Sequence, residues 1–339
     1  MKLSRNLARW KSGKPRRIGR PFWGILLIIA MMLSSVCPSL AQPKVLRIGV
    51  LTPGMAFDPV FLGFKEGLGR IGYKEENIEF IVEDTHGGTS DLGPRLANLL
   101  AAKPDMLYTV GTVHAIAAKQ ATSIIPVVFA WVGDPIQARL IASYGRSNTN
   151  ATGVSTSSDA LSGKRLEALL EVAPKVKRVL AIVAPKEYVA QSSFRYLQET
   201  AQKLKVQVIR REASTEEEVR QALHDMPKGS VDAIYHIPSY LGSYIHLLIE
   251  EAKQNKIPLV VHEESMVEKG ALVSYGPDFR SVGVQSARLA AKILKGEKPS
   301  DIPSEMPEKL LLNLNLSTAK AIGHKIPREI LERADRLVD

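Results

Sequence analysis

Residues Met106 to Asp134 read MLYTVGTVHAIAAKQATSIIPVVFAWVGD, and this stretch decides the fold class. Met106 to Val110 is a short apolar run of strand length. Gly111 and Thr112 interrupt it, Val113 to Ala121 places apolar residues at helical spacing, and Pro126 to Trp131 is a second apolar run. Strand, helix and strand in that order are βα units, whose strands pair in parallel beneath covering helices.

Working outward, the alternation continues in both directions. Val45 to Leu51 reads as a buried strand followed by a helix over Pro59 to Arg70, and Ile78 to Val82 as a strand before a helix over Leu92 to Ala102. A short helix is expected to begin near Pro135. After Gly153 the pattern restarts. A helix over Ala160 to Glu171 precedes strands at Val179 to Val183, Val206 to Ile209, Ala233 to Ile237 and Pro258 to Val261. Helices at about Ser192 to Lys203, Glu216 to Asp225 and Tyr244 to Lys253 lie between them. A strand at Ala271 to Ser274, a helix at Val282 to Leu294 and an apolar run at Leu310 to Leu314 follow, so the chain is expected to cross between two halves more than once.

The 339-residue chain is 45% hydrophobic and 24% charged, an ordinary globular balance, with a formal charge of +10. That charge is local. Residues 1 to 41 hold eight of the 45 basic residues and no acidic one, leaving 37 Lys and Arg against 35 Asp and Glu in the remainder. A nucleic-acid partner, which needs cationic charge on the folded surface, is therefore not expected. The basic stretch up to Arg20, the apolar run Phe22 to Leu33 and the small-residue pattern at Ser39, Leu40 and Ala41 read as a signal peptide cleaved after Ala41. The run falls short of the ~20 residues a spanning helix needs. The single cysteine, Cys37, follows Val36 rather than a small residue, so lipid anchoring is the less favoured reading. The expected product is a periplasmic, thiol-free monomer.

Ligands of doubly wound sheets bind at the carboxyl ends of the strands, beside helix N-termini. The candidate binding residues are accordingly Thr52, Pro53 and Gly54; Gly111 and Thr112; Trp131 and Asp134; Ser155 and Thr156; Pro185; Ser239 and Tyr240; Glu263; Gly276; and Asp278. Asp134, before Pro135, and Asp278, before a helix, read equally well as helix caps. Catalytic and metal signatures are missing. Gly67, Gly69 and Gly72 spell GxGxxG at the end of a helix pattern, where a helix stop is the better reading. His262, Glu263 and Glu264 begin a zinc-protease motif that no later histidine completes. The seven histidines are scattered, with His114 and His262 alone falling at cleft loops. No cofactor and no metal are expected.

Several motifs occur in one order: VGTVHAIAAKQ (110 to 120), ATSIIPVVFAWVGDP (121 to 135), TGVST (152 to 156), GKRLEALLEVAPKVKRV (163 to 179) and ILKGEKPSDIPSEMPEKLLLNLNLSTAKAIGHKIP (293 to 327). Together they resemble the substrate-binding proteins of ABC transporters with the type I periplasmic-binding fold, in the branch of tryptophan- and tyrosine-type transport proteins. The resemblance runs from about Leu46 to the last residues. It implies an α/β fold of two Rossmann-like, doubly wound lobes joined by a three-crossover hinge. Lobe 1 is then 42 to 154 with 277 to 306, and lobe 2 is 155 to 276 with 307 to 339. It also implies a small-molecule solute such as an amino acid or aromatic solute, a membrane permease as partner, and no chemistry of the protein's own. Gly111, Thr112, Asp134, Ser155 and Thr156 correspond by position to the family's cleft segments. Two segments depart from the family pattern. Arg146 to Ala151 stands where a proline-glycine-glycine-asparagine run is usual, and Ala184-Pro185 where an Asn-Pro is usual. The alternatives are an exported enzyme on the same scaffold and a sensory partner of a membrane receptor.

Overall fold

A computed structural model describes residues 45 to 54, 58 to 88 and 90 to 339. The segment read as a signal peptide, with Cys37, Trp10 and Trp23, lies outside the described residues. The first sheet holds β1 (Leu46–Thr52), β2 (Ile78–Asp84), β3 (Met106–Val110), β4 (Val127–Val132) and β5 (Ala151–Ser155), all parallel in the order β2-β1-β3-β4-β5. Its helices are α1 (Asp58–Ile71), α2 (Leu92–Ala101) and α3 (Thr112–Ala121). The second sheet runs β12-β11-β10-β9-β8-β6-β7. Its strands are β6 (Arg178–Val183), β7 (Gln207–Glu212), β8 (Ala233–His236), β9 (Leu259–Val261), β10 (Val273–Pro277), β11 (Leu310–Asn315) and β12 (Arg336–Val338). All pairs are parallel except β10 with β11. Around it lie α4 (Ser162–Val172), α5 (Tyr188–Leu204), α6 (Glu216–His224), α7 (Ile245–Asn255), α8 (Glu264–Glu268), α10 (Leu316–Ile322) and α11 (Arg328–Arg333).

The strands read as continuous apolar runs because both sheet faces are covered. Every residue of β3 is buried, and separate cores lie on the two faces of the first sheet. One face is closed from far along the chain by α9 (Phe279–Leu294), which supplies Val282, Leu289 and Ala290 to the core of Ile48, Val60 and Phe64. The contact between α1 and α9 is a glycine contact. A Cβ at Gly67 would lie 2.6 Å from that of Ala287, and one at Gly283 would run into the Val60 carbonyl oxygen. The GxGxxG triplet is thus absorbed by fold, since Gly67 faces α9 and Gly72 turns the chain after α1 at φ 104°.

The chain passes from β5 to the second sheet, returns through α9, and leaves again for β11, giving two lobes joined by three crossovers. The helix expected near Pro135 is instead a single turn. The Leu140 N–H bonds the Pro135 carbonyl at 2.9 Å, and the Asp134 carboxylate accepts from the N–H groups of Ile136 (2.9 Å) and Gln137 (3.0 Å), capping a turn that does not propagate. β5 and β12 and the short helices α8, α10 and α11 were not anticipated. The β5 sequence ATGVS carries no apolar run, yet all five residues are buried.

Candidate functional site

The carboxyl ends of the two sheets face each other across a cavity of about 190 Å3. That is below the roughly 300 Å3 at which drug-sized sites begin, so the cavity suits a small solute. Gly111, Thr112, Trp131 and Gly133 line it from the first sheet, and Thr156 and Ser158 from the crossover after β5. Glu187 and the first turn of α5 at Val189 line it after β6, and Pro238 with Ser239 and His262 line it after β8 and β9.

Each wall follows from local chain geometry. Gly111 adopts φ 93°, in the left-handed region that glycine tolerates, and turns the chain from β3 into α3 with its N–H on the Ala130 carbonyl (2.9 Å). The first-turn N–H groups of the ten-residue α3 are thereby presented at the cavity, with the partial positive charge of a helix N-terminus. Thr112 Oγ1 accepts from Gly133 N–H at 3.2 Å and ties the two loops together. Behind them His114 is buried with Nε2 3.0 Å from Thr85 Oγ1, and burial pushes its pKa down to about 4 against the opposing pull of Asp84.

Trp131 has φ 60°, uncommon for a bulky residue, at the point where the β4 and β5 register shifts between Ala130 and Val132. The bulge takes the indole out of the strand's alternation, leaving it half-buried at the cavity and against Phe279 of α9, planes 53° apart. On the second wall Glu187 Oε2 accepts from Tyr240 N–H at 3.1 Å. Burial raises the Glu187 pKa despite that bond, so a cation beside it would relieve a desolvated charge. Deeper, Arg165 is fully buried. Its guanidinium donates to the carbonyls of Tyr275 (3.0 Å) and Ser158 (3.5 Å), the Tyr235 hydroxyl (3.3 Å) and Ser162 Oγ (3.4 Å), all neutral acceptors. This leaves net positive charge behind the wall.

Of the residues expected at the site, Gly111, Thr112, Trp131, Thr156 and Ser239 meet at this cavity. Thr52, Pro53 and Gly54 stand at the end of β1 beside Asp84 and do not line it. Asp134 caps its own turn. Asp278 caps α9 through Ser281 N–H (3.2 Å) and pairs with Lys309 (2.9 Å). Ser155 Oγ bonds the Tyr144 hydroxyl and Ser157 Oγ, each at 3.0 Å, inside the crossover. Pro185 lies two residues before Glu187, and Tyr240 is exposed with its hydroxyl on the Ser214 carbonyl (3.3 Å). Glu263 Oε1 lies 3.2 Å from His262 Nε2, and Gly276 lets β10 pass the His262 carbonyl. Sequence reasoning missed Ser158, Glu187 and Val189. The signal for Glu187 was its place after the β6 run, just past the Pro185-Lys186 turn. Among the described residues no cluster of metal-ligating side chains exists, and no helix is long and apolar enough to cross a membrane.

Two lobes built on largely parallel sheets and hinged by three crossovers, with a small cavity between their strand ends, define the class of type I solute-binding proteins. The family model described as ABC transporter substrate binding protein matches residues 47 to 338, and the chain belongs to that family. It is 29% identical over 285 residues to a tyrosine-binding protein of Clostridioides difficile (strain R20291), covering 83% of this chain and 81% of that one. Among solved structures it is similar to a conserved domain protein from Vibrio cholerae (TM-score 0.77, 29% identity, 87% of this chain and 100% of that one). It also resembles a Streptococcus pneumoniae ABC domain in complex with L-Trp (TM-score 0.78, 24% identity, 87% of this chain and 100% of that one). The family is one of substrate-binding proteins rather than enzymes, and the chain shares that role.

Proposed function

We propose that the protein is an exported, monomeric receptor, released by cleavage after Ala41, that captures an aromatic amino acid between its lobes and delivers it to an ABC permease. The chain would pass between lobes near residues 154, 276 and 306. The observation that carries this reading is the opposition of two charges across one cavity: the N-terminus of α3 at Gly111 and Thr112 on one wall, the half-buried Glu187 carboxylate on the other. An α-carboxylate suits the first and an α-ammonium the second. Trp131 between them offers an aromatic face to a side-chain ring. The tyrosine-binding relative supports the same ligand class. Mass spectrometry of the solute released from freshly purified, denatured protein, followed by calorimetry with L-tyrosine and L-tryptophan, tests it. A released solute without an amino group, and no binding of either amino acid, would reject this ligand class.

A further inference from the structure

Two imidazoles behind the cavity wall are joined through a single hydrogen. His236 ends β8 and is buried; His262 follows the neighbouring strand β9 and lines the cavity. Their Nδ1 atoms lie 3.2 Å apart, with ring planes 9° from parallel and centroids 5.1 Å apart. Two facing ring nitrogens at that distance hold one hydrogen between them. On the far side of His262, Nε2 lies 3.2 Å from Glu263 Oε1, and a carboxylate only accepts. Nε2 therefore carries a hydrogen, Nδ1 of neutral His262 accepts from His236, and Nε2 of His236 is left bare. That atom is buried and without a hydrogen-bond partner among the described residues. An orphaned acceptor is tolerated there, whereas a further proton puts either a second hydrogen between the two Nδ1 atoms or an unpaired N–H on His236 Nε2.

The surrounding charges work in the same direction. Arg165 of α4 is buried nearby without a carboxylate partner among the described residues, and it donates to the Tyr235 hydroxyl of β8. Burial first, and then His262 and Arg165, hold His236 well below the ordinary imidazole pKa. Burial favours the protonated form of Glu263, but His262, Lys269 and Ser265 together keep its pKa below the usual value. Glu187 is the remaining acid at the cavity, on the loop after β6.

We propose that the His236–His262–Glu263 array couples solute retention to protonation: the singly shared hydrogen fixes His262 in the wall, and proton uptake by the pair displaces it and releases the solute. His236 acts as a positioning residue, out of reach of the solute. The proposal rests on the amino-acid reading for its probe but not for its geometry.

The test is calorimetry with L-tyrosine from pH 7.5 down to the onset of acid unfolding, on the wild type and on His236→Asn. The Asn amide offers His262 either a donor or an acceptor, so it does not resist protonation. The wild type should lose affinity by up to about tenfold per pH unit once the pair titrates, and the variant should lose less than about a third as much with near-equal affinity at pH 7.5. Because Glu187 is common to both proteins, its own titration cancels in that comparison. Equal pH slopes would overturn the proposal. If L-tyrosine and L-tryptophan both fail to bind at pH 7.5, the ligand class fails. The array is then read by imidazole 15N resonances of the ligand-free wild type, which also serves if the variant does not fold. One ring bearing its hydrogen on Nδ1 and its neighbour on Nε2, changing together on acidification, supports the array. Two rings titrating independently reject it.

Discussion

The backbone N–H of Ser155 donates to the carbonyl of Glu305 at 2.9 Å, and the Glu305 N–H returns to Gly153 at 2.9 Å, so two of the three crossovers run side by side as a parallel bridge. Gln285 of α9 holds the second of them through Glu305 Oε2 (2.6 Å) and the Met306 carbonyl (2.8 Å). Bonded crossovers bend together, which confines lobe motion to one hinge. Small-angle scattering should show a smaller radius of gyration with a saturating, verified ligand; an unchanged radius counts against closure.

Glu187→Gln keeps the shape of the wall and the acceptor for Tyr240 N–H but removes the charge. Loss of a charge-assisted bond to an ammonium should weaken binding by ~1.5 to 3 kcal/mol. Because burial already disfavours the charged form, the melting temperature should hold or rise slightly. Unchanged affinity in calorimetry would remove Glu187 from the site.

Trp131 stands at a strained bulge on the cavity rim, so its emission should shift or be quenched on ligand binding, and Trp131→Phe should abolish that signal with a measurable loss of affinity. Constant emission at saturation, together with wild-type affinity in the Phe variant, would leave the indole a purely structural role.

Gly283→Ala gains about 1 kcal/mol of helix propensity, yet the new methyl meets the Val60 backbone rather than a movable side chain. Overpacking costs ~1 to 3 kcal/mol and occasionally more, and immovable backbone puts this site at the upper end. Chemical denaturation should therefore show net destabilisation, and a stabilised variant would mean that α1 and α9 can move apart freely.

Acid should weaken the fold before the carboxylates titrate. His114, with its pKa near 4, and His236, also depressed, stay neutral in the native state, while in the unfolded chain they take up protons near pH 6.5. The unfolded state binds more protons between those values, so the stability from His114 is complete above about pH 6.5 and drains away as pH falls towards 4, by roughly 2 to 3 kcal/mol. Thermal melts of His114→Gln against wild type should converge across that window. Parallel pH dependences would assign the acid loss to other groups.

The βα alternation was legible because buried parallel strands must be apolar along their whole length, as Met106 to Val110 shows. β5 was not, since its small polar residues are buried by neighbours rather than by their own hydrophobicity. The same limit applies to the site. Gly111 and Thr112 announce themselves as a break between strand and helix, and the capping potential of Asp134 and Asp278 is local, so both uses were readable. His236 and His262 are 26 residues apart and meet because β8 pairs with β9, a fact of sheet order that no spacing encodes.

The covering of the first sheet by α9 sets an order of events during synthesis. Val60, Phe64 and Leu68 emerge early, yet the helix that covers them spans 279 to 294 and follows most of the second lobe. A growing chain therefore displays a bare apolar face until well into its last quarter. The contacts that seal the first lobe have very long sequence separation, and they close late and slowly. The second lobe interrupts the first in the chain, and the first lobe reaches its full stability only once nearly the whole chain is available to fold.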